Sequence, residues 1–366
     1  MRVAMLSATP VDTHGWGRYT RDLIMALAEQ GAKIDLITSI DADSDPNLPL
    51  SSYSRILPSL VPARRYTSLR LLAAMPAVSR HIAHADVVHV IAEPYVLAVP
   101  PTHRTIVTAH GTYLPLTVQR RGFGALYRQA YRRSTVICVS RYTQSAVLAA
   151  VPGLDTTVIT NGVDVARFQQ LGTPPIKRSP VVLAVGQIKP RKGFHVLARA
   201  MRLVRQVVPD AEVVFIGDKS DTTYCERILA DLAAEEPNLS HAVHFLGRVP
   251  DDVLLGWYHA ADVFALPAVN IGNQFEGFGL VYLEASAAGL PTVGTYGCGA
   301  EDAILDGETG FLIPQNDEAA TAGAIIKLLQ DSALRSRMGM RGIEYAREHG
   351  WDKIAQRVRE VYETYG

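Results

Sequence analysis

The sequence predicts an α/β protein made of two doubly wound, parallel-sheet domains of comparable size. Three observations carry that prediction. Its 366 residues exceed what one core ordinarily organises, since single domains usually run to about 100–200 residues. Short apolar runs alternate throughout with stretches of helical periodicity, the pattern of β-α-β units whose strands are covered on both faces. A Pro-rich polar break within Leu171–Pro180 then divides the alternation into two series and reads as a linker.

The elements follow in order. Arg2–Ser7 is an apolar run, Arg18–Gln30 carries Leu23, Ile24, Leu27 and Ala28 at helical spacing, and Ile34–Thr38 is the next apolar run; together they form a first β-α-β unit. Strands are expected at Val87–Ile91, Thr105–Ala109, Thr135–Val139 and Thr157–Ile159, with a helix at Tyr142–Ala150. After the break come strand Val181–Val185, helix Phe194–Val208, strand Glu212–Ile216, helix Thr222–Glu236, strand Val243–Leu246, helix Val253–Ala260 and strand Val263–Leu266. Beyond Phe311–Ile313 the periodicity predicts helices near Glu318–Gln330, Ala333–His349 and Trp351–Tyr365. The expected domains are residues 1–172 and 173–350, with a terminal helix, 351–366, crossing back to the first. Open α/β sheets bind ligands beyond the carboxyl ends of their strands, so two Rossmann-like domains facing across a cleft are expected.

Composition narrows the partners. With 36 Lys plus Arg against 36 Asp plus Glu, the chain lacks the positive field on which nonspecific nucleic-acid binding relies, and no nucleic-acid partner is expected. Cys138, Cys225 and Cys298 are odd in number and far apart, which argues against a disulfide framework or structural zinc. The opening apolar run meets Thr9-Pro10, and no segment reaches about 18 apolar residues. A cytoplasmic protein is the expectation.

The most informative segment is Glu276-Gly277-Phe278-Gly279-Leu280-Val281-Tyr282-Leu283-Glu284, followed by Ala285-Ser286-Ala287-Ala288-Gly289-Leu290-Pro291. It places one carboxylate just before a helix and another inside it. The glycines let backbone approach a ligand closely, and the free N–H groups at a helix start suit a diphosphate. A second candidate is the basic turn Gly186-Gln187-Ile188-Lys189-Pro190-Arg191-Lys192-Gly193, whose cations would stabilise charge developing on a leaving diphosphate. His14-Gly15-Trp16-Gly17-Arg18 opens the first helix and can hold phosphate, though it is not G-x-G-x-x-G. His110 ends a predicted strand where a ligand would sit. Taken singly, each has a bland reading: solvated helix carboxylates, an exposed basic turn, a tight turn, a structural histidine.

Taken together, Glu276–Glu284 and Glu308-Thr309-Gly310-Phe311-Leu312-Ile313-Pro314 resemble the E-x7-E signature of glycosyltransferase family 4, retaining enzymes of the GT-B architecture. Lys192 matches the family's Lys-Gly, whereas Gln187 stands where an arginine is usual, leaving Arg191 to supply that charge. Gly15 matches the second glycine of the family's Gly-Gly loop, and His14 displaces the first. The resemblance implies that Glu276 and His110 lie against the transferred sugar and that Glu284 binds the nucleotide ribose. It also implies that Arg191, Lys192, Gly15 and the Gly277, Phe278, Gly279 and Leu280 stretch contribute to the donor site. It implies a hexosyl transfer from a nucleotide-diphosphate sugar, which is a substrate, to a hydroxyl on a glycan, glycolipid or small metabolite, with no cofactor and no metal. Asp41-Ala42-Asp43 has D-x-D spacing but sits in a polar loop of the wrong domain.

Arg120, Arg121, Arg128, Arg132 and Arg133, interleaved with Phe123, Leu126, Tyr127 and Tyr131, suit either a solvated helix face or peripheral contact with an anionic membrane. Two rival functions stay open, a GT-B nucleotide-sugar epimerase and a non-catalytic nucleotide-sugar or glycan-binding protein. A dehydrogenase lacks its dinucleotide fingerprint.

Overall fold

The computed structural model describes residues 1–11, 15–60, 66–177, 179–235 and 237–365. They form two compact units. The first comprises residues 1–162 together with the segment from Trp351 onward, the second residues 163–350.

Among the described residues, the first unit holds a seven-stranded, wholly parallel sheet: β1 (Arg2–Leu6), β2 (Lys33–Ser39), β3 (Ser52–Leu57), β4 (Val87–Val90), β5 (Thr105–Ala109), β6 (Ser134–Cys138) and β7 (Thr156–Val158), in the order β3-β2-β1-β4-β5-β6-β7. Strand alternation sends successive side chains to opposite faces. Val3 and Met5 pack with Leu23, Ile24 and Leu27 of helix Gly15–Glu29, while Ala4 and Leu6 pack with Leu71, Val78 and Ile82 of helix Thr67–Ile82. Both faces are therefore covered, which is why the strands read as continuous apolar runs.

The terminal helix Trp351–Tyr365 lies on the first of these faces, with Trp351, Ile354, Val358 and Tyr362 buried among the β1 and β2 side chains. Burial of a large apolar side chain contributes about 1.5–3 kcal/mol, enough for four of them to hold the helix there. Tyr362 also reaches the interior, its hydroxyl 2.6 Å from His89 Nδ1, and Gln30 Nε2 donates to the carbonyl of Asp352 at 2.8 Å.

The second unit repeats the plan with six strands among the described residues: β8 (Val181–Val185), β9 (Glu212–Ile216), β10 (Val243–Gly247), β11 (Val263–Ala265), β12 (Thr292–Thr295) and β13 (Gly310–Ile313), ordered β10-β9-β8-β11-β12-β13 and all parallel. In each sheet the winding direction reverses once, between β1 and β4 in the first and between β8 and β11 in the second. Ligands of such sheets bind at these switch points, beyond the carboxyl ends of the strands.

The division falls at Gly162/Val163 rather than at 172/173. Residues between those points already pack on the second unit: Phe168 meets Tyr258 edge-on at 5.4 Å, and Thr173 N–H donates to the carbonyl of Asp252 at 3.0 Å. The Pro-rich stretch runs over that unit's surface, held by Lys177 to Asp262 at 2.6 Å. Its Arg178, like His14 and Glu236, lies outside the described residues. The sequence pattern also passed over β3, helix Thr67–Ile82 and β12.

Candidate active site

At the switch point of the second unit, β8 runs into Gly186, a 3₁₀ turn at Pro190–Lys192, and then helix Phe194–Val207. Gly193 joins turn to helix at φ 75°, and a Cβ there would stand 1.8 Å from the carbonyl oxygen of Pro267. Only glycine lets this turn press against the exit of β11. Val269 N–H then donates to the Arg191 carbonyl at 2.8 Å, tying the two exits together.

That contact brings Glu276 to the cations. Lys192 Nζ lies 2.6 Å from Glu276 Oε2, and Arg191 donates to the same oxygen at 3.2 Å. Glu276 is 7% exposed, and its carbonyl accepts from Gly299 N–H at 2.8 Å. Burial alone would raise its carboxyl, but Lys192 first and Arg191 second outweigh it and hold the group below the usual carboxylate range. Burial lowers the Lys192 ammonium below its usual value, with Glu276 opposing. The site is thus a buried anion held between two cations.

Gly277–Gly279 follow, all buried. Gly279 caps helix Leu280–Ala287 at φ 87°, and a Cβ on it would lie 2.4 Å from the Tyr282 ring. Phe278 is 2% exposed, so its side chain belongs to the core and backbone is what this residue offers a ligand. Glu284 sits one turn into the helix, 2% exposed, accepting the Tyr258 hydroxyl at 2.8 Å.

His110 and Gly15 belong to the first unit. His110 follows β5; its backbone N–H donates to Glu93 Oε1 at 2.8 Å, and its ring stands edge-on to Tyr19 with centroids 4.7 Å apart. Burial depresses the imidazole to about 3, with the neighbouring Ile91 carbonyl opposing. Gly15 begins the first helix, yet a Cβ there meets no described atom within 4 Å, whereas one on Gly17 would lie 1.9 Å from the Val11 carbonyl oxygen. Among the described residues, the glycine that this turn demands is therefore Gly17, not Gly15.

Two residues escaped the sequence reading. Glu93, wholly buried, accepts both the His110 N–H and the Trp16 indole N–H, the latter at 3.1 Å, and Tyr258 orients Glu284. The dipeptide Glu93-Pro94 directly after the β4 run was the available signal, since an acidic residue there lands at the switch point. Among the described residues no group of three or more His, Cys, Asp or Glu could hold a metal ion, and no helix is long and apolar enough to cross a membrane.

Residues 13–167 match the family described as Glycosyltransferase Family 4, and residues 169–345 match Glycosyl transferases group 1. The chain is 31% identical to the GDP-mannose-dependent alpha-(1-6)-phosphatidylinositol monomannoside mannosyltransferase of Mycolicibacterium smegmatis, over 70% of this chain and 69% of that one. It is 28% identical to the phosphatidyl-myo-inositol mannosyltransferase of Mycobacterium leprae over 100% of this chain and 97% of the relative. The fold matches a sucrose-phosphate synthase of Thermosynechococcus elongatus with a TM-score of 0.79 at 23% identity, covering 100% and 98% of the two chains. Two parallel-sheet units of GT-B type, with the E-x7-E carboxylates and the basic turn gathered at one switch point, agree with these likenesses: the chain belongs to glycosyltransferase family 4.

Proposed function

We propose that this protein moves a hexosyl unit from a nucleotide-diphosphate sugar to a hydroxyl acceptor, with retention at the transferred carbon and without a metal ion. The observation that carries the reading is the Glu276 carboxylate held by Lys192 and Arg191 beside the start of helix Leu280–Ala287. Arg191, Lys192 and the N–H groups of the helix start would take the diphosphate, leaving Glu276 against the sugar and Glu284, steadied by Tyr258, for the ribose. In the reaction the bond between the anomeric carbon and the diphosphate oxygen breaks. The acceptor oxygen bonds to the same face of that carbon, and the acceptor's proton passes to the departing diphosphate. Glu276 steadies the oxocarbenium-like transition state electrostatically. Arg191 takes the place of the arginine absent at Gln187, and His110 and Gly15 contribute from the first unit, which is also where the acceptor binds.

The relatives' names make GDP-mannose the first donor to try and an inositol-bearing lipid the first acceptor. In helix Gly124–Arg132 and the residues flanking it, Tyr127 and Tyr131 are buried, while Arg121, Arg128, Arg132 and Arg133 stay exposed together with Leu126. Contact of this cytoplasmic enzyme with an anionic membrane would rest mainly on those arginines, with Leu126 the one large apolar side chain of the helix exposed beside them.

A thermal-shift panel of UDP, GDP, ADP and their sugars identifies the donor, because ligand binding to the native state raises the melting temperature. Transfer to acceptor is then followed by NMR of the anomeric proton. Inverted product, or activity lost on chelation and restored by magnesium or manganese, overturns the corresponding part of the proposal. Donor binding without turnover would favour a binding protein, and product without acceptor an epimerase.

A further inference from the structure

The exits of β1, β4 and β5 converge at the switch point of the first unit, and Glu93 stands there with no accessible surface. Its Oε1 accepts the backbone N–H of His110 at 2.8 Å, and its Oε2 accepts the Trp16 indole N–H at 3.1 Å. Its carbonyl accepts the Tyr131 hydroxyl at 3.1 Å. A buried carboxyl is costly unless its oxygens are engaged. Here they engage two separate pieces of chain, the first turn of helix Gly15–Glu29 and the loop leaving β5.

A plain core staple would leave the residues it holds satisfied, and His110 is not. Its Nε2 is buried and has no hydrogen-bond partner among the described residues. Buried polar atoms are nearly always paired. An unpartnered ring nitrogen at the carboxyl end of a central strand is suited to pair with a ligand hydroxyl, which can donate or accept.

We propose that Glu93 is a positioning residue for glycosyl transfer: by fixing the His110 backbone and the Trp16 indole to one carboxylate, it aims the His110 Nε2 at a substrate hydroxyl. The proposal rests on the reading of His110 as a substrate contact. Glu93 itself, enclosed by Trp16, His110 and Tyr131, touches no substrate.

The test is a double-mutant cycle on the full chain, with kcat, KM and nucleoside diphosphate affinity measured for the donor found in the thermal-shift panel. Glu93→Gln sets an amide donor against one of the two N–H groups and should lower kcat by roughly 10–100-fold. Diphosphate affinity, carried by Arg191 and Lys192 of the other unit, should change by less than about twofold. Glu93→Asp, which keeps both acceptor oxygens, should recover part of the loss. In a His110→Ala background, Glu93→Gln should add little, because both act through one hydrogen bond.

Losses that add in full, or a folded Glu93→Gln variant with parental kcat, would overturn the role of Glu93 and leave His110 standing. A His110→Ala variant with parental kcat would instead overturn the reading of His110 and the proposal with it. If Glu93→Gln fails to fold, Trp16→Phe removes one of the two donors alone and should show the same non-additivity with His110→Ala; full additivity there also overturns the proposal.

Discussion

Replacing Glu276 by Gln should pull binding and turnover in opposite directions. The carboxylate oxygen lies 2.6 Å from Lys192 Nζ and 3.2 Å from the Arg191 guanidinium. A phosphate oxygen bound on the far side of that ammonium, at about 2.8 Å, would stand roughly 5 Å from the carboxylate. Two unit negative charges at about 5 Å repel by about 1–3 kcal/mol for effective dielectric constants between about 80 and 20. The Gln variant loses that repulsion but keeps the shape and an acceptor oxygen for Lys192. A nucleoside diphosphate should then bind roughly five-fold to a hundred-fold more tightly, at about 1.4 kcal/mol per factor of ten. Turnover should fall by roughly 10²–10³, the usual cost of removing one preorganised electrostatic partner of a transition state. Calorimetric titration with UDP and GDP measures the first effect and steady-state transfer the second. A variant that binds diphosphates more weakly than the parent, or whose kcat stays within about threefold of it, would refute the placement of the leaving group beside this carboxylate.

Four further outcomes are expected. Stability of the first unit should fall between pH 7 and pH 5, because His89 and His110 are both depressed to about 3 and charge in the unfolded chain first, costing about 2 kcal/mol each. Glu93, pushed up to about 7 by burial, destabilises the fold increasingly as pH rises from the unfolded carboxyl value, so acidification returns about 2 kcal/mol. Glu93→Gln should therefore make the melting temperature fall roughly twice as steeply over that range, and an equal slope would show that Glu93 does not titrate there. Gly17→Ala should destabilise the fold by about 1–3 kcal/mol while Gly15→Ala stays within about 0.5 kcal/mol, measured by denaturant unfolding, since only the former drives a Cβ into backbone. Tyr362→Phe should cost about 1–3 kcal/mol by leaving His89 Nδ1 without its partner, seen as a lower unfolding midpoint. Vesicles rich in anionic lipid should retain the protein at low salt and release it near 0.5 M, roughly where screening shrinks below 5 Å; salt-independent binding would point to inserted apolar side chains instead.

How much of this was legible follows from burial. Central strands such as Val181–Val185 are covered on both faces and announce themselves as unbroken apolar runs. The edge strand Ser52–Leu57 is half exposed and polar, and Thr292–Thr295 is buried but short and contains a glycine, so neither gives a periodic signal. The basic turn and the Glu276 segment were readable because their residue types and spacing are tied to phosphate and sugar chemistry. Glu93 was not, because its meaning comes from partners 77 and 17 residues away, Trp16 and His110. No local pattern encodes such a meeting. The choice between Gly15 and Gly17 likewise depends on where Val11 lies in space.

The route of the chain bears on how the protein is made. Residues 163–350 are complete before the ribosome has synthesised Trp351, whereas the first unit, begun earlier, still lacks the helix that covers its Leu23, Ile24 and Leu27 face. A nascent chain would therefore carry an exposed apolar surface through most of its synthesis, a natural place for a chaperone to bind. A stop codon a few residues into Trp351–Tyr365 would leave the second unit intact and the first permanently open along that face, so the shortened product should aggregate through its N-terminal half.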